Sequence, residues 1–495
     1  MQLSADRRRG GPSHLHRSRR DRGHRRGAAG RGTARRQQLR RRPGGDRHPA
    51  AAAGGLNANL DSARLRSALA YIALAAGVAG VGHGAAVVGA PAVLAYVALA
   101  WPSLNRVPRF ILAVAAATTG VCLLAAPALL VDGGRTLTRL AALIIAVMLL
   151  AHTLGRSRHL GVISEHLFSG RALTRYLSVT FGSLFLAVPL NFGAVSVVGT
   201  LIGREIERHG DSAGTRNAAR GVLRGFGSAS LCSPLSIAVV LTLTLVPGID
   251  GTSLIALTFP LAATYLCLGA WFREPESDAG RVPDRSAGRV AASWLFFAGC
   301  IGLICVGTGL LRQLAGFDYA RAVTCSCLAV VALGLLGAPR GERVPAMGGI
   351  GNELAIIGGS AFLGATLSAF VATRLGADFA LPLWSFPLVA LGTPWLLFGG
   401  GLCGLNPLVL VTLLGGLAGR LWPPAAGLGL GIALVSGWGL TIAGTPYSAN
   451  ALLVQRLTGY DNWRVSVTWS GRLSLCALTL ASMLAAAVTV TALFG

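Results

Sequence analysis

From residue 66 to residue 493 the chain is a succession of apolar stretches, most of them near the 20 residues a helix needs to cross a bilayer core. A window of about 19 residues places spans near 66–83, 85–101, 108–130, 138–154, 252–272, 290–312, 318–337, 353–373 and 465–493. Soluble proteins carry roughly a quarter charged residues. Here 13% are charged and 53% apolar, with a mean hydropathy of +0.60. A water-soluble globule and a disordered chain are both excluded, and the sequence specifies an all-α polytopic membrane protein.

The net charge of +25 would suit a nucleic-acid binder, but it is concentrated at one end. Residues 1–50 hold 16 arginines against Asp6, Asp21 and Asp46, and the chain has no lysine. Runs such as RRRGGPSHLHRSRRDRGHRRG are expected of a disordered leader over 1–60, resembling translated GC-rich upstream sequence more than a native tail. An RNA- or lipid-binding tail is the second reading, and nucleic acid is not an expected partner. No apolar core with a cleavage site marks the leader as a secretory signal. Its arginines would hold the N-terminus in the cytoplasm. All nine cysteines lie in apolar stretches without metal-ligand spacing and read as small hydrophobes, so no metal site is expected.

Four stretches depart from simple spans. Residues 174–203 and 384–419 are interrupted at PLNFG and GLCGLNP; 219–248 and 424–456 are interrupted at SLCSP and AGTP. A full crossing by 174–203 would put Arg204, Arg208, Arg216, Arg220 and Arg224 outside, against the positive-inside rule. Two legs of roughly 14 residues would each rise about 20 Å, which suits a re-entrant hairpin with Asn191 at its tip. The same reading of 384–419 puts Asn406 at the second tip. Eleven crossings and two re-entrant hairpins result, with Arg135, Arg139, Arg312, Arg321 and Arg420 left on the outer face.

The two interrupted helices share a pattern. GFGSASLCSPLS from Gly225 and GWGLTIAGTPYS from Gly437 both read G-[FW]-G-x5-[ST]-P-x-S, 212 residues apart. Five crossings separate the hairpins, so the halves would lie in opposite orientations. Inverted repeats with broken helices are an architecture of secondary transporters. The expected organisation is 61–272 for the first span and first repeat, a cytoplasmic linker at 273–289, and 290–495 for the second repeat.

Ser233-Pro234-Leu235-Ser236 reads as a helix start with Ser233 as N-cap, and Thr445-Pro446-Tyr447-Ser448 repeats it. A helix restarting mid-membrane offers unpaired N–H groups to a carboxylate or other oxyanion. Carbonyls ending the preceding half-helix suit a sodium ion. The candidate site is Asn191, Ser228, Ser230, Ser233 and Ser236 with Asn406, Thr441, Thr445, Ser448 and Asn450. Gly225, Gly227, Gly437 and Gly439 would admit close backbone approach. The acidic residues, among them Glu353, fall in the leader, loops or span ends. That weighs against a cation/proton antiporter and against a membrane-embedded enzyme working through acidic groups. Arg472 in the last span reads as snorkelling to the interface.

The layout resembles the ion transporter superfamily, above all its divalent anion/sodium symporter branch of dicarboxylate and citrate carriers. Gly444, Thr445, Pro446 and Asn450 in AGTPYSAN look like that family's Gly-Thr-Pro-Pro-Asn turn, and Asn191 and Asn406 stand for its tip asparagines. The family's Ser-Asn-Thr tips are here Leu190-Asn191-Phe192 and Leu405-Asn406-Pro407. The resemblance implies an elevator-type carrier, a homodimer, binding a carboxylate with sodium near the two tips. The expectation is a non-enzymatic, cofactor-free secondary transporter in a bacterial-type inner membrane, moving a di- or tricarboxylate-like solute with Na+ or H+. Metalloid or oxyanion efflux, cation/proton exchange and a membrane-embedded enzyme or lipid-handling protein are the alternatives.

Overall fold

A computed structural model describes residues 49–80, 82–276, 287–336, 345–375 and 381–495. Most of the leader and of the 273–289 linker lie outside the described residues. Leu56–Gly495 forms one unit and Met1–Gly55 another. The first helix starts at Pro49, inside the stretch expected to be a leader to residue 60.

The described residues are predominantly helical and contain no β-strand. In chain order the helices are α1 (Pro49–Ala79), α2 (Gly82–Ala100), α3 (Arg106–Ala125), α4 (Ala128–Gly155), α5 (Arg158–His166) and α6 (Ala172–Leu190). Then come α7 (Phe192–His209), α8 (Ala213–Cys232), α9 (Ile237–Leu245), α10 (Gly251–Leu268), α11 (Ala287–Ala315) and α12 (Tyr319–Leu336). The last six are α13 (Gly351–Leu375), α14 (Ser385–Leu402), α15 (Pro407–Leu421), α16 (Gly427–Gly444), α17 (Ala449–Thr458) and α18 (Gly471–Phe494). A π-helical segment, Arg464–Thr468, precedes α18.

Eleven helical segments among the described residues are long and apolar enough to cross a membrane, which makes this a multi-pass membrane protein. They are not the eleven expected from hydropathy. Ala172–Leu190 and Ser385–Leu402, the first legs of the two expected hairpins, are among them. At 1.5 Å per residue α6 rises about 28 Å rather than the expected 20. The legs are long because their polar ends are helical too: α6 begins with Ala172-Leu173-Thr174-Arg175, and α7 ends in Arg204–His209. The chain reverses at the single residue Asn191, and α6 and α7 pack on each other.

Both interrupted helices break where Pro and hydroxyl residues cluster. The first is α8, a non-helical Ser233–Ser236, then α9; the second is α16, a non-helical Thr445–Ser448, then α17. The α8 start is a reciprocal cap, the Ser212 Oγ accepting from the Thr215 amide at 3.2 Å and the Thr215 Oγ1 accepting from the Ser212 amide at 3.0 Å. Helices α8 and α16 are buried almost all round and pack on each other. Here Gly227 lies against Gly439, so close that a Cβ on either would sit 2.6 Å from the other's carbonyl oxygen. In lipid, packing of this closeness replaces the hydrophobic drive that holds soluble helices together.

The ends of each half cross over. Leu457 of α17 rests on Gly199 and Gly203 of α7, while Leu245 of α9, 212 positions earlier, rests on Gly415 and Gly419 of α15. Each restarted helix therefore packs on the second leg of the opposite helix pair.

Charges gather at two ends. The arginines that positive-inside counting left on the outer face mostly have partners there. Arg135 pairs with Asp132 at 3.0 Å, Arg139 with Asp318 at 3.6 Å and Arg312 with Asp250 at 3.2 Å. Arg321 donates to the Val78 carbonyl at 2.7 Å, and Arg420 to the Ser368 Oγ at 3.3 Å.

The opposite end corrects the loop reading of 204–224. Arg216, Arg220 and Arg224 lie one turn apart on α8. Arg216 pairs with Glu274 at 2.7 Å and Asp211 at 2.8 Å; Arg220 pairs with Glu274, and Arg175 with Glu276. The Asn217 amide ties the two acids, donating to the Glu274 carbonyl at 2.8 Å and to Glu276 Oε1 at 2.7 Å. Arg224 is fully buried and donates to the Tyr176 hydroxyl at 2.7 Å and the Gly269 carbonyl at 3.0 Å. Glu274 and Glu276, expected in a solvated linker, are thus anchors for α6 and α8.

Candidate functional site

The two breaks are built alike, atom for atom at several points. The Ser233 amide donates to the Ala229 carbonyl at 2.9 Å, and the Thr445 amide to the Thr441 carbonyl at 3.1 Å. The Ser236 Oγ donates to the Ser230 carbonyl at 2.8 Å, and the Ser448 Oγ to the Ile442 carbonyl at 2.9 Å. The Pro234 carbonyl accepts from the Tyr319 hydroxyl at 3.2 Å, and the Pro446 carbonyl from the Asn462 Nδ2 at 2.9 Å. Every residue of the first break corresponds to one of the second at the 212 offset.

The capping residues differ from expectation. Ser236, not Ser233, is the N-cap of α9, its Oγ accepting from the Ala238 amide at 3.2 Å. Ser448, not Thr445, is the N-cap of α17, accepting from the Ala451 amide at 3.1 Å. Ser233 and Thr445 instead end α8 and α16, with extended backbone that lets the chain turn before the next helix starts. A Pro directly after them favours that extended form. The carbonyls expected to be open to a cation are partly taken, since those of Ala229, Ser230, Thr441 and Ile442 accept the bonds just described.

One cavity of about 420 Å³ receives both breaks and both tips. Asn191, Ser230, Ser233, Ser236, Asn406, Ser448 and Asn450 all line it, although they come from positions up to 259 residues apart (450 − 191). Its size is that of a small-ligand site. The starts of α7, α9, α15 and α17 reach its lining through Phe192, Ile237, Pro407 and Ala449. A cap hydroxyl or amide satisfies one first-turn N–H in three of these helices; the remaining first-turn donors have no intrahelical partner. Helix starts carry partial positive charge and favour an anion.

The tips are not equivalent. Asn406 caps α15, its Oδ1 accepting from the Leu408 amide at 2.9 Å. Asn191 has φ +49°, the only positive-φ residue other than glycine among those described, and its side chain caps neither helix it joins.

Three candidate residues stay outside the lining. Thr441 donates to the Gly437 carbonyl at 2.6 Å and Thr445 to the Thr441 carbonyl at 2.8 Å, so both hydroxyls are spent within α16. Ser228 is fully buried in α8 with an unpartnered Oγ. The four glycines serve helix packing: Gly225 lies on α6, Gly437 on α14, and Gly227 and Gly439 on each other.

Other lining residues escaped the sequence reading. Phe226 and Trp438, the aromatics between the paired glycines, both line the cavity. Their repeated position was the available signal. Asn105, Asn352 and Glu353, at the starts of α3 and α13, also line it. The Asn105 amide donates to the Asn352 Oδ1 at 2.9 Å, joining these two helix starts. No local pattern marks them, because only the folded chain brings α13 beside the breaks. Glu353 places a carboxylate in the cavity although no span centre holds one.

No protein-family model matches the chain, and no curated protein matches it.

Proposed function

We propose that the protein is a secondary active transporter of a small organic anion bearing a carboxylate. The observation that carries this reading is the convergence of both helix breaks and both tips on one cavity of about 420 Å³. A merely kinked helix packs its break against neighbours, whereas here two matching breaks leave helix starts at a shared space. Irregular backbone within a membrane is tolerated where it lines such a cavity.

The reciprocal Gly227–Gly439 contact and the matched bonds at the 212 offset support two inverted repeats. The reversal at Asn191 supports re-entrant hairpins, and movement of the hairpins and broken helices against the other helices would give alternating access. A Na+ or H+ gradient is the proposed driving force, a homodimer in a bacterial-type inner membrane the proposed assembly, and no enzymatic step is involved. Glu353 favours one second reading, cation/proton exchange, since it supplies a cavity carboxylate.

The test is uptake of labelled mono-, di- and tricarboxylates into proteoliposomes under imposed Na+ or H+ gradients. Gradient-dependent carboxylate uptake, reduced by Ser236→Ala together with Ser448→Ala, is expected. Cation exchange without any carboxylate uptake would replace this reading by the second one.

A further inference from the structure

We infer that the cavity takes a small zwitterion, its carboxylate at the helix starts beside Ser236 and Ser448 and its protonated amine at Glu353. This refines the substrate class and rests on the transport reading above.

The charge inventory of the lining points there. Glu353 is the one ionisable acid among the lining residues, and no arginine or histidine accompanies it. It forms no ion pair or hydrogen bond among the described residues. A di- or tricarboxylate entering this space would meet a like charge with no side-chain cation in the lining to offset it, an arrangement that selects against such ligands. An ammonium group removes that conflict and gives Glu353 a partner.

Asn450 makes an independent case. It lines the cavity in the first turn of α17, is 2% exposed, and its Oδ1 is buried without a hydrogen-bond partner. A buried acceptor left unmet costs about 1–3 kcal/mol. A carboxylate has no hydrogen to give it; an ammonium has three. The cavity therefore combines donors, at the helix starts, with acceptors that an anion alone leaves unsatisfied. A carboxylate that merely complements the helix dipole of α13 accounts for Glu353, but not for Asn450.

The experiment compares pairs differing by one amino group, aspartate against succinate and alanine against propionate, for binding to the purified full-length protein by calorimetry. The expected result is tighter binding of the aminated member by about tenfold or more. Glu353→Gln should erase that preference while binding of succinate and propionate persists or strengthens. Equal binding within each pair by the wild type would overturn the inference and leave the anion reading standing. So would a preference that survives in Glu353→Gln. If the variant changes only the pH dependence of succinate binding, Glu353 is a proton site and the inference falls. If neither member of either pair binds, the inference falls, and the uptake assay decides the transport reading. Should the variant fail to fold, the wild-type comparison decides alone.

Discussion

Gly227 of α8 and Gly439 of α16 touch reciprocally: a Cβ on either would lie 2.6 Å from the other's carbonyl oxygen. Such a reciprocal contact between residues one repeat apart is what a local two-fold relation between the proposed halves would produce. Since the obstacle is backbone, the helices themselves would have to separate. Gly227→Ala and Gly439→Ala should each lower stability by about 1–3 kcal/mol, read as melting in detergent. The double variant should cost less than the sum, because helices already parted by one Cβ leave room for the other. Gly302→Ala on α11, where a Cβ meets nothing within 4 Å, should be neutral or mildly stabilising.

Ser236 and Ser448 each close a helix start and hold a carbonyl six residues back. Alanine at either position should cost about 1 kcal/mol and weaken carboxylate binding by loosening the helix start. Ser448→Thr retains the hydroxyl and should keep most of both. Isothermal binding and thermal melts on the same preparations separate the two effects.

Asn191 holds φ at +49° between two helices. Glycine adopts that region freely, while a β-branched residue does so at a cost of about 1–3 kcal/mol. Asn191→Gly should melt near the wild type and Asn191→Val clearly below it. If Asn191 also touches solute, both variants should bind carboxylates more weakly, a loss that tip geometry alone would confine to the valine variant.

Arg220 is 4% exposed, pairs with Glu274 and stacks over the Trp469 ring at 4.7 Å. Removing the guanidinium leaves Glu274 with Arg216 alone. Arg220→Met should destabilise by about 3 kcal/mol, and adding Glu274→Gln should recover part of the loss. Chemical denaturation of the four proteins in a double-mutant cycle gives the coupling.

The Tyr460 hydroxyl donates to Asp211 at 2.6 Å and, aided by Arg216, holds that carboxyl below its usual range despite some burial. A depressed carboxyl adds stability above its unfolded pKa, about 3.9, and loses it as pH falls through the lower folded value. Melting temperature should therefore drop on acidification below about pH 4. Asp211→Asn should be less stable at neutral pH and show a flatter acid limb.

What the sequence determined by itself was local. Runs of apolar residues dictate membrane helices, because an unpaired backbone is too costly in lipid. Pro234 and Pro446 with their neighbouring hydroxyls mark where two of those helices break; the hydroxyls matter, because α6, α10 and α14 run on through Pro189, Pro260 and Pro394. Even the cap was legible to within three residues. It fell on Ser236 and Ser448 because the residue preceding each proline takes extended backbone, delaying the next helix. Tertiary structure alone decided the rest. Hydropathy sees the charge of Arg216, Arg220 and Arg224 but not Glu274 and Glu276, whose pairing lets those arginines enter a helix. It reads 174–203 and 384–419 as short-legged hairpins, whereas in the fold α6 and α14 are each long and apolar enough to cross a membrane. Glu353 and Asn450 meet around one cavity through packing between elements about a hundred residues apart, and no spacing along the chain encodes that meeting.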